Sequence, residues 1–352
     1  MGTFYFYYDK LKFKQMKMKF SILFFIVFSF TSCVKVIDGP INVPIPSFTS
    51  VEIPLTKNYS QKVYYNLATK SIVKTTNSLS WDIAFTSDLT RKSKVILNYA
   101  FGDICKGMNT TNNNFNTTYT NNFIEANALK FKYANQYELN SNLFDNSLSY
   151  FNNELSSNQN VFIVVLEPGR VRKIQILEYT NTKVVFRHGN TDNTDTVTVT
   201  MTLNPNNNYN YYSFKNKDFV LVEPANNTSW DIEFTKYTTL LTEFNSTKYY
   251  GVTGAIFNPG KKFQYTFLEN ININDVDLAK ASSLSLKTDL LGIGYSWKKF
   301  SSPTNDGFYA IEPRTYIVKD SSKYYTIQFT EFSKLIGGTT EKGYPQFLQN
   351  NL

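Results

Sequence analysis

Histidine is almost missing from this sequence: His188 stands alone among 352 residues. Two cysteines, Cys33 and Cys105, and five methionines complete a sparse set of soft side chains. Such counts exclude a zinc centre of Cys and His at ligand spacing, and they exclude a disulfide framework. A Ser-His-Asp arrangement would have to use His188, and no G-x-S-x-G elbow accompanies it. P-loop and G-x-G-x-x-G turns are absent as well. A glycosidase-type pair of carboxylates is the one catalytic class that motifs leave open, and the expectation is a protein that is not an enzyme. Charged residues make up only 18% of the chain, with a formal charge of +8 and no Lys/Arg-rich run. Nucleic acid is therefore not an expected partner.

Long hydrophobic runs are also lacking, apart from one near the start. Lys17 and Lys19 precede "FSILFFIVFSF" (20–30), and "TSC" closes on Cys33. A charged n-region, a short apolar h-region and small residues before a cysteine read as a signal peptide over 1–32. Eleven residues rise only about 16 Å as a helix, too short for a bilayer core of roughly 30 Å. Cys33 after Ser32 resembles a lipobox, so the expected anchor is an acylated Cys33 in outer-membrane lipid, with residues 33–50 as tether. Met1, Met16 and Met18 all remain possible starts. Five lysines and one aspartate leave with the signal, which brings the charge from +8 to +4. About 320 mature residues exceed what one hydrophobic core usually serves, so two domains or two fused halves are expected.

What the sequence has in quantity is aromatic and β-branched residues, with 30 Phe and 25 Tyr. "KVYYNL", "KVILN", "VFIVVL", "KIQILEY", "KVVFRH", "VTVTMTL", "TYIVK" and "YYTIQFTEF" are short β-type runs between polar turns. Helical spacing is weak and confined to "NDVDLAKASSLSLKTDLLG" (274–292). An all-β chain of antiparallel sheets with one short helix at most is expected. "NTTNNNFNTTYTNN" (109–122) reads as a long loop or a disordered excursion.

The chain also repeats itself. "SWDIAFTS" (80–87) returns as "SWDIEFTK" (229–236), "YYNL" (64–67) as "YYSF" (211–214), and "VILN" (95–98) as "AIFN" (255–258). Further on, Ile174, Gln175 and Glu178 match Ile327, Gln328 and Glu331. Four stations in one order mark a tandem duplication, drawn as β units over 51–205 and 206–352. Sequence alone leaves open whether the units make one sandwich or two domains. In a strand W-D-I-x-F would set Trp81 and Phe85, or Trp230 and Phe234, on one face with the Ile, and Asp82 or Asp231 on the other. The motif reads as a packing signature whose Asp accepts hydrogen bonds from a turn or a strand edge.

These two W-D-I-x-F stretches, with "GIGYSW" (292–297), "TYIVKDSSKYYTIQFTEF" and the terminal "KGYPQFLQNNL", resemble HmuY-type lipoproteins of Bacteroidetes. The resemblance is strongest over about 210–352 and reaches 60–190 through the duplication. It implies an all-β fold, a surface-exposed place on the outer membrane, and haem capture for a TonB-dependent receptor in iron acquisition. Family members hold haem iron between two axial side chains, His or Met. Here the matching stretch 237–315 has neither.

The remaining axial candidates are His188, Met108 and Met201. His188 ends "KVVFRH" on the strand face of Val184 and Phe186, where a hydrogen-bonded or surface ring is the bland alternative. Met201 alternates with Val197, Val199 and Leu203 and reads as core. Met108 borders the Asn-rich stretch, and Tyr phenolates are a further ligand class for ferric haem. Two functions follow: a haem-capturing lipoprotein, or a non-catalytic surface module for a protein or glycan partner that has kept the scaffold and lost the ligands.

Overall fold

Alternation of apolar and polar residues builds most of these strands, and double-sided burial builds the rest. "VTVTMT" buries every second residue, whereas "QKVYYN" buries Lys62, Val63, Tyr64 and Tyr65 in succession. A strand with both faces covered lies inside a stack of sheets. The computed structural model describes residues 48–91, 94–104, 106–127, 129–130, 159–167, 170–241, 248–300 and 309–352. The signal peptide, Cys33 and most of the tether fall outside the described residues.

The early strands are β1 (Thr49–Glu52), β2 (Gln61–Asn66), β3 (Ser71–Asn77), β4 (Ile83–Phe85), β5 (Val95–Leu97), β6 (Lys106–Asn109) and β7 (Leu129–Lys130). Then come β8 (Val161–Glu167), β9 (Arg170–Tyr179), β10 (Lys183–Gly189), β11 (Val197–Thr202), β12 (Asn210–Ser213) and β13 (Asp218–Val220). The last are β14 (Ile232–Leu241), β15 (Lys248–Phe257), β16 (Phe263–Glu269), β17 (Lys298–Phe300), β18 (Tyr309–Ile311), β19 (Arg314–Asp320), β20 (Lys323–Ile336) and β21 (Thr339–Asn351). Every described ladder between strands is antiparallel. Helix is limited to single short pieces such as Asn121–Asn127 and Leu278–Ser283, the second capped by Asp277, which accepts from Lys280 N at 2.7 Å.

Four sheets carry the architecture, in the orders β1-β21-β20-β19-β16, β15-β14-β2-β3, β13-β12-β4-β5 and β11-β10-β9-β8-β6-β7. Three hydrophobic cores lie between them. Val63, Tyr65, Ile232 and Phe234 meet Tyr316, Ile327 and Phe347 in the first core. Tyr64, Trp230 and Ile256 meet Trp81, Ala84 and Tyr211 in the second. Ile83, Phe85 and Tyr212 meet Ile174, Val184 and Phe186 in the third. The result is a four-layer stack whose two inner sheets are covered on both faces.

Strand pairing redraws the repeat boundary. β4, with the first W-D-I-x-F, pairs β12 at "YYS", and β14, with the second, pairs β2 at "YYN". Each copy of the motif thus takes its Tyr-Tyr partner from the other half of the chain. One lobe is contiguous, from β4 to β13. The other joins β1–β3 to β14–β21, closing through Thr49 opposite Gln349. Residues 46–352 form one compact unit, and the expected division at 205/206 falls inside the contiguous lobe. There Asn204 N is held by Asn210 Oδ1 at 2.8 Å, because that turn joins β11 to β12 and separates nothing.

The Asn-rich stretch is likewise a fixed part. Phe115 is buried, Lys173 Nζ donates to Phe115 O at 2.5 Å, and Gln175 Nε2 donates to Asn113 O at 2.8 Å, so the strap lies across β9. At the β20–β21 tip, Gly337 and Gly338 both have positive φ, as a two-residue hairpin turn requires.

Candidate functional site

Each W-D-I-x-F motif ends in a carboxylate clamp. Asp82 Oδ2 accepts from Phe214 N at 2.7 Å, just past the borrowed "YYS", and Asp82 N donates to Tyr212 O at 2.9 Å. Asp231 repeats this with Leu67 N at 2.7 Å and Tyr65 O at 2.8 Å. An Asn seals each corner: Asn98 Nδ2 donates to Trp81 O at 2.7 Å, and Asn258 Nδ2 to Trp230 O at 2.9 Å. Both carboxylates are buried, and each takes one cation. Arg170 reaches Asp82 Oδ1 at 2.6 Å, and Lys261 reaches Asp231 Oδ1. Buried backbone donors and a paired cation satisfy the Asp, which explains why the motif needs a short carboxylate there.

Trp81 and Trp230 depart from the expected face. Both point into the middle core, each edge-on to a borrowed tyrosine at 4.8 Å (Tyr211 and Tyr64), while Ile83 with Phe85 and Ile232 with Phe234 face their own lobe cores. The chain enters strand geometry only at the Ile, so the Trp side chain is not bound by the strand's alternation.

The middle core also carries a polar group that no motif announced. Lys62, Tyr99 and Glu233 are all buried: Tyr99 Oη donates to Glu233 Oε1 at 2.5 Å, Lys62 Nζ donates to Glu233 Oε2 at 3.2 Å, and Lys62 Nζ also meets Tyr99 Oη. Nearby, Glu223 accepts from Tyr211 Oη at 2.6 Å and from Asn208 N at 2.9 Å. Burial pushes the Glu223 carboxyl up to about 7 against these hydrogen bonds. The only sequence signal for this joint was the Lys before "VYY" and the Glu at the variable position of the second motif.

His188 is sealed in the contiguous lobe. It has no exposed surface, Phe214 and Phe186 rings lie 4.8 and 6.1 Å from its own, and Nε2 meets Tyr212 Oη at 3.1 Å. Burial, aided by the Arg172 charge, lowers its pKa to about 4, so the ring is neutral at physiological pH. Nδ1 has no hydrogen-bond partner among the described residues. Met201 is buried in the same core. It stands opposite Val184, four residues along β10 from His188, which is about 13 Å at strand rise. Both side chains are enclosed in packed protein, and His188 Nε2 is already engaged by Tyr212, so neither presents a free donor to an open cleft. Met108 lies in β6 opposite Ile163, and its side chain is outside the described residues.

The residues present therefore do not fit a two-ligand haem site. The orphaned Nδ1 of His188 is a single donor behind aromatic walls, and no cluster of three or more His, Cys, Asp or Glu suited to a metal occurs among the described residues. A shallow cleft of about 280 Å³ opens elsewhere, beside Asp231 and Lys261, and its lining contains neither His nor Met.

Fold and site together define a mostly antiparallel, layered β scaffold in which each W-D-I-x-F strand pairs with a Tyr-Tyr strand from the other half of the chain. Residues 205–348 match the family model described as HmuY protein. A crystal structure of an apo HmuY analogue from Tannerella forsythia, TFO, is similar to this chain at 10% identity, covering 86% of this chain and 95% of that one with a TM-score of 0.23. No curated protein matches. The similarity to HmuY is thus carried by residues 205–348, about two fifths of the chain.

Proposed function

We propose that this protein is a non-catalytic binding module of HmuY-like type, carried on the outer membrane by an acylated Cys33 and exposed at the cell surface, in which the scaffold has been kept and the described His and Met serve the core. The observation that supports it is the commitment of His188: a neutral ring, fully enclosed and bonded to Tyr212. The test is a hemin titration followed in the Soret region, with His188→Ala alongside. A broad, unsaturated spectrum identical in both proteins is expected. A sharp 1:1 Soret band lost in the variant would overturn the reading.

Haem capture for a TonB-dependent receptor is the second reading, favoured by the match over 205–348. In the lobe that holds most of that segment, Trp297, Tyr309 and Phe332 gather around the Lys298 amine, and Tyr59 stacks on Phe332. A Tyr ligand binds ferric haem as phenolate. Burial pushes Tyr59 up to about 12 and raises Tyr309 as well, which holds both as phenols. A tyrosinate charge-transfer band in the hemin spectrum would carry this reading over the first.

A further inference from the structure

The two carboxylate clamps occupy equivalent places, yet their surroundings differ at two matched positions. Three residues past the sealing Asn stand Phe101 after Asn98 and Lys261 after Asn258. At the start of the second strand of the matched hairpins stand Arg170 in β9 and Lys323 in β20. In the contiguous lobe the guanidinium of Arg170 swings onto Asp82 and lies over the Phe101 ring at 4.6 Å, which fills the niche beside the clamp. In the other lobe Lys261 neutralises Asp231 from the opposite side, and Lys323 remains exposed at the hairpin turn. Beside this second clamp lies the cleft of about 280 Å³, lined by Asp231, Lys261 and Lys323.

We infer that this cleft, walled by Asp231, Lys261, Asp320, Ser322, Lys323 and Tyr325, is a binding site for a neutral, hydroxyl-rich ligand of the size of one sugar ring. Its two carboxylates and two ammonium groups cancel, so neither an anion nor a cation gains a net Coulombic advantage. Acceptors and donors instead alternate around the wall: carboxylates take hydroxyl protons, while ammonium and serine hydroxyl groups donate to hydroxyl and ring oxygens. The small volume suits one ring, and the clamp keeps the wall rigid because Asp231 is already fixed by Leu67 N and Lys261. This assignment rests on the binding-module reading above and gives that module a ligand class, a terminal glycan residue.

The test uses the full chain in a zwitterionic detergent, since maltoside headgroups would compete. Methyl glycosides of glucose, galactose, mannose and N-acetylglucosamine are titrated by calorimetry and by saturation-transfer NMR, beside inorganic phosphate. At least one glycoside is expected to saturate at a Kd on the order of 1 mM, as a single ring with few anchors should. Ser322→Trp, at an exposed turn position, should weaken it at least about tenfold while the melting temperature holds. No glycoside binding, binding unchanged in Ser322→Trp, or saturation by phosphate alone overturns the site. A hemin titration of the same sample separates the two readings. Absent glycoside binding with absent hemin binding removes the cleft assignment only, whereas a saturable Soret band removes the reading beneath it.

Discussion

The two lobes of this protein use the same parts to different ends. Around Asp82 the clamp is closed by Arg170 from the β8–β9 hairpin with Phe101 beneath it. Around Asp231 the cation is Lys261, and the hairpin residue Lys323 faces outward. The contiguous lobe also holds the sole histidine, in its core. The two joints match in backbone and differ in the residue three places past the sealing Asn, Phe101 in one and Lys261 in the other.

The comparison can be broken first at what the lobes share. Trp81→Ala and Trp230→Ala each hollow out the common middle core, so each should cost about 4 kcal/mol and lower one cooperative transition, not split it into two. Two separate calorimetric transitions would show that the lobes fold independently.

Next comes the response to pH, where lobe and joint should have opposite signs. His188 has a folded pKa of about 4, below the ordinary 6.5. Its contribution is fully present above 6.5 and lost as pH falls through about 4, a change of roughly 3 kcal/mol. Glu223 has a folded pKa of about 7, above 4.5, so its contribution is present below 4.5 and lost as pH rises through about 7. Urea unfolding across pH should therefore flatten on the acid side in His188→Gln and on the neutral side in Glu223→Gln. If either variant keeps the wild-type slope, that group is not the titrating one.

The clamps themselves give the smaller effects. Arg170→Ala removes the charged partner of a buried carboxylate and should cost about 2 kcal/mol by thermal unfolding. The matched Lys323→Ala should stay within about 0.5 kcal/mol, since the side chain is exposed. Equal losses at both positions would erase the distinction between the two clamps.

Much of the fold was legible from local pattern. Alternation in "VTVTMT", continuous burial in "VFIVVL" and the polar turns between runs are properties of neighbouring residues, and the strands fall where they predict. The recurrence of W-D-I-x-F was legible for the same reason. Partner choice was not, because "YYN" and "YYS" are nearly interchangeable sequences. Only the assembled stack shows that each serves the distant motif. The face taken by Trp81 and Trp230 was misjudged because strand periodicity was extended two residues beyond the strand. Burial of His188 depends on Phe214, a residue 26 positions on that arrives with β12. The central Lys62–Glu233 pair spans the chain in the same way.

The closing of β1 on β21 has a kinetic meaning. Thr49 must wait for Gln349, about 300 residues later, before its ladder exists. A chain made from its N-terminus can complete the β4–β13 lobe first, since all its pairings are internal. β2, already paired with β3, meanwhile presents an unpaired edge until β14 arrives. Loop closure over such separations is slow, and open strand edges are the surfaces through which chains associate wrongly. One lobe can thus close as soon as β13 is made, and the other is a late lock that shuts only when the last strand is made.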